Sequence, residues 1–187
     1  MGLWSFDPDN TLFTADTHLR HRKILEYQPN RSFGDVDEMN EALIAAWNAV
    51  VSPDATVIHH GDFAFASKTR TREYRERLNG RIVLILGNHD NYKDLKDIFG
   101  PENIKDSMFY SVGGQEIHSC HFPMASWKNA EEGSWMLHGH YHGHKVDDML
   151  YKRMDVGIDT HPRLCPYTFA KIREFMETRT LTPVRHP

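Results

Sequence analysis

The segment RIVLIL, residues 81–86, is apolar at five consecutive positions. Successive side chains of a strand point to opposite faces, so a strand apolar on both faces must be covered on both. That places the segment in the middle of a parallel sheet, with other layers above and below it. The run then breaks off into Gly87-Asn88-His89-Asp90, and the same change recurs elsewhere. Apolar stretches also precede Asp16-Thr17-His18, Gly61-Asp62, Cys120-His121-Phe122-Pro123 and Gly139-His140-Tyr141-His142. In open α/β sheets, ligands bind in the crevice beyond the carboxyl ends of the strands. Strand ends bearing Asp, Asn or His offer the oxygen and nitrogen donors that suit manganese, iron, zinc or nickel. Asp16 and His18 stand two residues apart, as do His140 and His142. On an extended backbone that spacing puts both side chains on one face. The glycines beside them allow close approach and positive φ.

The other segments frame these ends. DVDEMNEALIAAWNAVV is a helix capped by Asp35, with Glu38 placed as in a capping box. Met39, Leu43, Trp47 and Val50 mark its inward face, and Ser52-Pro53 ends it. SKTRTREYRERLNG reads as an exposed helix with Tyr74 and Leu78 inward, and NYKDLKDIFGP as a short helix closed by Gly-Pro. Gly113-Gly114 suits the turn of a hairpin between MFYSV and QEIHSC. RMDVGID is a further strand. CPYTFAKIREFMET is a helix with Pro166 at its first position and Phe169, Ile172 and Met176 inward. Strands alternate with helices early and dominate later, which indicates a layered α/β fold with two sheets and helices outside. No repeat or linker interrupts the chain, so one domain over residues 1–187 is expected.

Composition narrows the partners. With 22 basic and 26 acidic side chains the formal charge is −4, which argues against a general nucleic-acid or anionic-membrane binder. No apolar run approaches the roughly 20 residues of a spanning helix. MGLWSFDPDN lacks the basic-then-apolar order of a signal peptide. Cys120 and Cys165 alone make no disulfide framework, so a cytoplasmic location is expected. The chain holds 13 histidines, the commonest metal-ligating residue, and they concentrate at the strand ends.

Taken in order, D-x-H, G-D, G-N-H-D, H and G-H-x-H resemble the motif series of the calcineurin-like metallophosphoesterase superfamily, from Asp16 to His142. DTHLRH, DVDEMNEALIAAWN, GDFAF and DVGID are further similar to its small bacterial and phage members. The resemblance implies a two-sheet α/β/β/α sandwich with a binuclear metal site at one end of the sheets. It implies that Asp16, His18 and His142 hold one divalent ion, that Asn88, His121 and His140 hold another, and that Asp62 bridges them. Manganese leads the expected metals, with iron, zinc and nickel also suited. A hydroxide between the ions would attack phosphorus in line with the leaving oxygen, and His89 would protonate that oxygen. Paired cations lower the pKa of bound water and stabilise the phosphorane charge, and a single imidazole is a suitable proton donor. Relatives also carry a His at the position of His21, which places it near the substrate. They usually have Gly where this chain has Arg20. Asp90 is a candidate to orient His89. His59, His60, His138 and His144 fall near the centre, where they can support ligands. His118, His161 and His186 read as ordinary hydrogen-bonded side chains.

Rival functions leave traces that are absent here. A metallo-β-lactamase needs H-x-H-x-D-H, and His142 stands where its Asp belongs. Protein Ser/Thr phosphatases carry G-D-x-V-D-R-G, whereas this chain reads GDFAFAS, with Phe65 in place of the Asp that pairs with the catalytic His. A non-catalytic binding scaffold of the same fold would lose the His at position 89. The basic stretch from Lys68 to Arg81 holds six basic and two acidic residues and reads as a solvated helix face, not a nucleic-acid surface. The expected partner is a small phosphoester such as a nucleotide. No arginine follows Asp62 or precedes Gly87, which favours monoanionic diesters over dianionic monoesters, since Arg best holds the dianion. Arg20, Arg22 and Arg31 are the rim arginines that can reverse this preference. The segments Arg20–Phe33 and Met124–Gly133 are expected to form the rims of an open site.

Overall fold

The RIVLIL segment becomes an inner strand of a five-stranded sheet. The computed structural model describes residues 3–144 and 152–179. Its strands are β1 (Trp4–Phe6), β2 (Thr11–Thr14), β3 (Thr56–His59), β4 (Arg81–Ile85), β5 (Ile104–Lys105), β6 (Ser107–Val112), β7 (Gln115–Cys120), β8 (Trp135–His138), β9 (Arg153–Asp155) and β10 (Tyr167–Thr168). Its α-helices are α1 (Ile24–Tyr27), α2 (Val36–Asn48), α3 (Lys68–Arg77), α4 (Tyr92–Phe99) and α5 (Phe169–Glu177). The first sheet runs β10-β2-β3-β4-β5, parallel except for β10. The second runs β1-β6-β7-β8-β9, parallel except for the β6–β7 hairpin.

β4 explains the layering residue by residue. Ile82 and Leu84 face one core, together with Leu12, Val57, Leu43, Trp47, Tyr74 and Leu95. Val83 and Ile85 face the other, together with Phe13, Ile58, Tyr110, Ile117, Leu137 and Val156. The first core lies between the first sheet and α2, α3 and α4, and the second lies between the two sheets. Phe169, Ile172 and Met176 of α5 join the second core, as their spacing predicts. Truncating a residue such as Leu84 to Ala, with no room for collapse on either side, costs about 2–5 kcal/mol.

Local signals account for most element ends. The Asp35 carboxylate accepts from the backbone N–H of Asp37 and Glu38 at 2.9 and 2.8 Å, capping α2. The Glu38 carboxylate reaches back to the N–H of Gly34 at 2.7 Å, one residue earlier than a capping box requires. Gly113 and Gly114 both take positive φ, 55° and 85°, as the tight hairpin turn demands. One expectation fails: Pro166 does not start the last helix. Tyr167 and Thr168 instead pair with Phe13 and Leu12 as β10, and the helix starts at Phe169 with the Thr168 hydroxyl as its cap. The open edge of β2 claims those backbone groups first, since unpaired strand edges are costly.

The segment 124–134 also departs from its expected place. It folds back over the outer face of the second sheet, where Lys128 lies 4.5 Å above the Phe109 ring and Asn129 donates to Glu116 at 2.7 Å. Of this connection, Phe122 at its base stays beside the strand ends. The basic residues of α3 are engaged internally: Lys68 with Asp97, Arg70 with Glu73, Arg77 with Glu41, and Arg75 with the carbonyls of Leu78 and Gly80. Among the described residues, no helix is long and apolar enough to cross a membrane.

Candidate metal centre

The chain leaves β2 and β3 as two segments that stay hydrogen-bonded past the strand ends. Asp16 N–H donates to Gly61 O at 2.9 Å, and His18 N–H donates to Asp62 O at 3.0 Å. The backbone there is not extended, contrary to the two-residue spacing argument. Asp16, His18 and Arg20 have φ of 55°, 47° and 69°, and Asp62 has 57°. His140 and His142, at 74° and 51°, repeat the pattern beyond β8. A left-handed residue at every second position curls the chain, so alternate side chains converge on a point. Asp, Asn and His tolerate this region better than most residues. The positive φ at Arg20 is a conformation that suits the Gly expected there from the resemblance. Gly87 and Gly139 serve close approach. A Cβ on Gly87 would lie 2.2 Å from Asp62 Oδ1, and one on Gly139 2.6 Å from Asp16 Oδ2.

Two clusters result. In the first, donor atoms of Asp16, His18 and His142 lie within 4.8 Å of one another. In the second, Asn88 Oδ1 is 3.0 Å from both His121 Nε2 and His140 Nδ1. Asp62 Oδ2 joins them, 3.6 Å from His18 Nε2 and 3.6 Å from His121 Nε2. The seven residues singled out as ligands from the sequence are therefore brought together, with Asp62 between the clusters.

The donor chemistry fits cations. His121 Nδ1 lies 2.7 Å from His60 O, a carbonyl that can only accept, so Nδ1 carries the proton. In the neutral ring the Nε2 lone pair then faces Asn88 Oδ1 and Asp62 Oδ2, which are acceptors too. His142 Nδ1 likewise donates to Asp159 Oδ2 at 2.7 Å and presents Nε2 toward Asp16 Oδ1, 4.0 Å away. Both ring nitrogens of His18 are buried without a hydrogen-bond partner. Facing acceptors and orphaned nitrogens in a buried site call for an ion. Burial, reinforced by the charges of Asp155 and Asp62, pushes the Asp16 carboxyl well above the usual range. Burial, then the neighbouring His142 and Arg31, holds His18 well below its ordinary value, in the neutral form that ligates metals.

A supporting layer fixes these ligands, and its main pair was not found from the sequence. Arg31 is fully buried and donates to both Asp159 oxygens, at 2.6 and 2.7 Å. It also donates to Asp16 O at 2.6 Å and Thr17 O at 2.9 Å. Arg31 is thus no rim arginine but the counterion of Asp159. Burial raises the Asp159 carboxyl, but hydrogen bonds from Arg31 and His142 outweigh it and hold the group below the usual range. The resemblance of DVGID to relatives marked the segment, while nothing local marked Arg31 as its partner.

Asp90 does not orient His89. Its carboxylate accepts from the N–H groups of Asp62, Phe63 and Gly87, at 2.8, 3.1 and 2.9 Å, and clamps the two loops together. His59 bonds the loop between Asp16 and His18. The Thr17 hydroxyl donates to Phe63 O at 2.8 Å and therefore accepts from His59 Nε2 at 3.0 Å. His60 bonds Thr14 O at 3.0 Å and the Ser119 hydroxyl at 2.8 Å within the inter-sheet core. His138 bonds the Gly139 carbonyl, and His144 anchors its loop to Gln28. His161 lies beside Cys165, His118 packs near Phe109, and His186 falls outside the described residues.

His89 is exposed at the mouth of the centre, with its backbone N–H on Asp62 Oδ1 at 3.0 Å. Its ring packs on Phe65 at 4.6 Å and lies 5.9 Å from His18. Phe65 thus supplies an apolar contact where phosphatases place an acid. His21 stacks on Phe65 at 3.9 Å, and burial, then His89, lowers its pKa. Arg20 pairs with Asp37 on the surface.

Comparisons with known proteins agree with this geometry. A family model described as calcineurin-like phosphoesterase matches residues 10–177. An uncharacterized protein of Methanocaldococcus jannaschii is 34% identical over 149 residues, covering 77% of each chain. The gene 66 protein of Mycobacterium phage L5 is 28% identical over 186 residues, covering 83% of this chain and 89% of its own. Among solved structures, a protein of unknown function from Aquifex aeolicus shares the fold. Its TM-score is 0.69 at 23% identity, over 88% of this chain and 98% of its own.

Proposed function

The chain belongs to the calcineurin-like phosphoesterase family, and on that premise we propose that it is a binuclear metal-dependent phosphodiesterase. The observation that carries the reading is Asp62, whose Oδ2 stands 3.6 Å from a histidine of each cluster. Asp16, His18 and His142 would hold one divalent transition-metal ion; these donors suit manganese, iron, zinc or nickel alike, and manganese is placed first on the family resemblance. Asn88, His121 and His140 would hold the other. When bound, such ions supply an activated water and neutralise charge on the phosphoryl oxygens.

The chain's own residues do the rest. His89, exposed and packed on Phe65, donates a proton to the departing ester oxygen. Asp159 and His60 O hold His142 and His121 with their Nε2 atoms inward. Asp90 keeps the Asp62 loop against the Gly87 loop. The diester preference follows from charge. Arg31 is spent on Asp159 and Arg20 on Asp37, so neither clamps a dianion. Arg22 is the rim arginine outside these pairs, and it is exposed. The test is kcat/KM for a bis-aryl phosphate against its mono-aryl counterpart at one pH and metal load. The diester should be favoured; a clear monoester preference would overturn the reading and identify Arg22 as the clamp.

A further inference from the structure

Aromatic side chains line both sides of the centre. On one side a row starts at His89 and continues through Phe65 at 4.6 Å and His21 at 3.9 Å to Tyr27 at 6.5 Å. Tyr27 is 55% exposed. On the other side Phe122, 47% exposed, stands edge-on to His121 at 5.0 Å and to His140 at 4.7 Å. These are two of the large apolar side chains left in solvent among the described residues; Phe122 touches two residues of one cluster, and Tyr27 reaches the other through His21, whose ring lies 5.2 Å from His18. Neither is needed to fill a core. Their positions match the two arms of a diester bound through its phosphate, and His89 marks the leaving arm as the one over Phe65, His21 and Tyr27.

We propose that the substrate is a phosphodiester bearing a planar ring on each arm, in nature a dinucleotide step, with Tyr27 and Phe122 as the two stacking platforms. This rests on the phosphodiesterase reading above. Rings stack on exposed aromatics without base specificity, and the loss of one platform corresponds to roughly 5- to 150-fold. A cyclic nucleotide carries one ring and a lipid diester none, so each would engage at most one platform.

For the arm that remains, the test holds the leaving group constant. Thymidine 5′-(p-nitrophenyl) phosphate and methyl p-nitrophenyl phosphate differ only on the arm that remains. The ratio of their kcat/KM values is taken for the parent, Phe122→Leu and Phe122→Tyr, which cancels their intrinsic reactivities. The ratio should fall at least 5-fold in Phe122→Leu and persist in Phe122→Tyr. For the other arm, Tyr27→Leu should lower the preference for a p-nitrophenyl over a trifluoroethyl leaving group on thymidine 5′-phosphate. In the Phe122 pair the leaving group is shared, so damage to the centre lowers both members alike; in the Tyr27 pair a weakened proton donor would raise the p-nitrophenyl preference, the opposite of the expected fall. An unchanged ratio in Phe122→Leu, with both diesters still cleaved, overturns the two-platform proposal and leaves the phosphodiesterase reading intact. Cleavage of monoesters alone overturns that reading itself.

Discussion

Replacing Arg31 by Met should destabilise the protein by about 3–5 kcal/mol, the usual cost of stranding one partner of a buried ion pair. The geometry sets this above a surface pair. All five N–H groups of the guanidinium are placed: two on Asp159, one each on Asp16 O and Thr17 O, and one toward Met39 Sδ at 3.8 Å. Met fills much of the volume but leaves the Asp159 carboxylate and two buried carbonyls without those donors. For a chain of 187 residues, each kcal/mol shifts the midpoint by about 2–4 °C, so the thermal transition should fall by about 6–20 °C. Urea unfolding with a double-mutant cycle separates charge from packing. Arg31→Met/Asp159→Leu removes both charges and should recover about 2 kcal/mol or more relative to Arg31→Met, because replacing a buried pair by apolar groups is often near neutral. A single-variant loss under about 1 kcal/mol, or strict additivity in the cycle, would refute the reasoning.

His89→Ala should keep its metals and fold while losing turnover by about 10²–10⁴-fold. The loss should shrink for acidic leaving groups; equal losses across leaving groups would assign His89 another role. Asp62→Gly, which deletes the carboxylate but suits the φ of 57°, should lower the metal content from two ions per chain, and a full load by elemental analysis would remove Asp62 from the bridge. His60 is buried, and burial holds its pKa down at about 3. The unfolded ring protonates near 6.5, so the unfolded state binds more protons between these values and stability falls as pH drops through that window, by up to about 1.4 kcal/mol per unit. Urea unfolding of the chelated parent and of His60→Gln at pH 7, 6 and 5 measures the difference in slope, and equal slopes contradict a neutral buried His60.

What the sequence made legible had local causes. The candidate ligands could be picked out because each follows an apolar strand, and strand ends are where a parallel sheet opens; their grouping into two sets came from the family resemblance. The α2 cap and the Gly113-Gly114 turn were legible because their chemistry lies within a few residues. β5 and β10, at two residues each, are too short to carry a period, and they exist because a neighbouring strand offers an unpaired edge. Arg31 and Asp159 are 128 residues apart, so no window contains the pair. The left-handed residues were missed for a different reason. Alternation at Asp16 and His18 looks the same whether the chain is pleated or curled, and only the neighbouring loop beyond β3 decides which.

The two sheets contribute unequally placed halves of one centre. Asp16, His18, Asp62 and Asn88 follow strands of the first sheet, while His121, His140 and His142 follow β7 and β8 of the second. Each cluster draws from both, so an ion bound in either one fastens sheet to sheet at the mouth of the sandwich. Metal loading would then become part of folding. Ions bound only by the native state add about 2.7 kcal/mol at a hundredfold excess over Kd, and they resist the sliding of one sheet over the other. The chelated protein should exchange its amide hydrogens faster at the carboxyl ends of β2, β3, β7 and β8 than at their amino ends, where the apolar core alone holds the layers together.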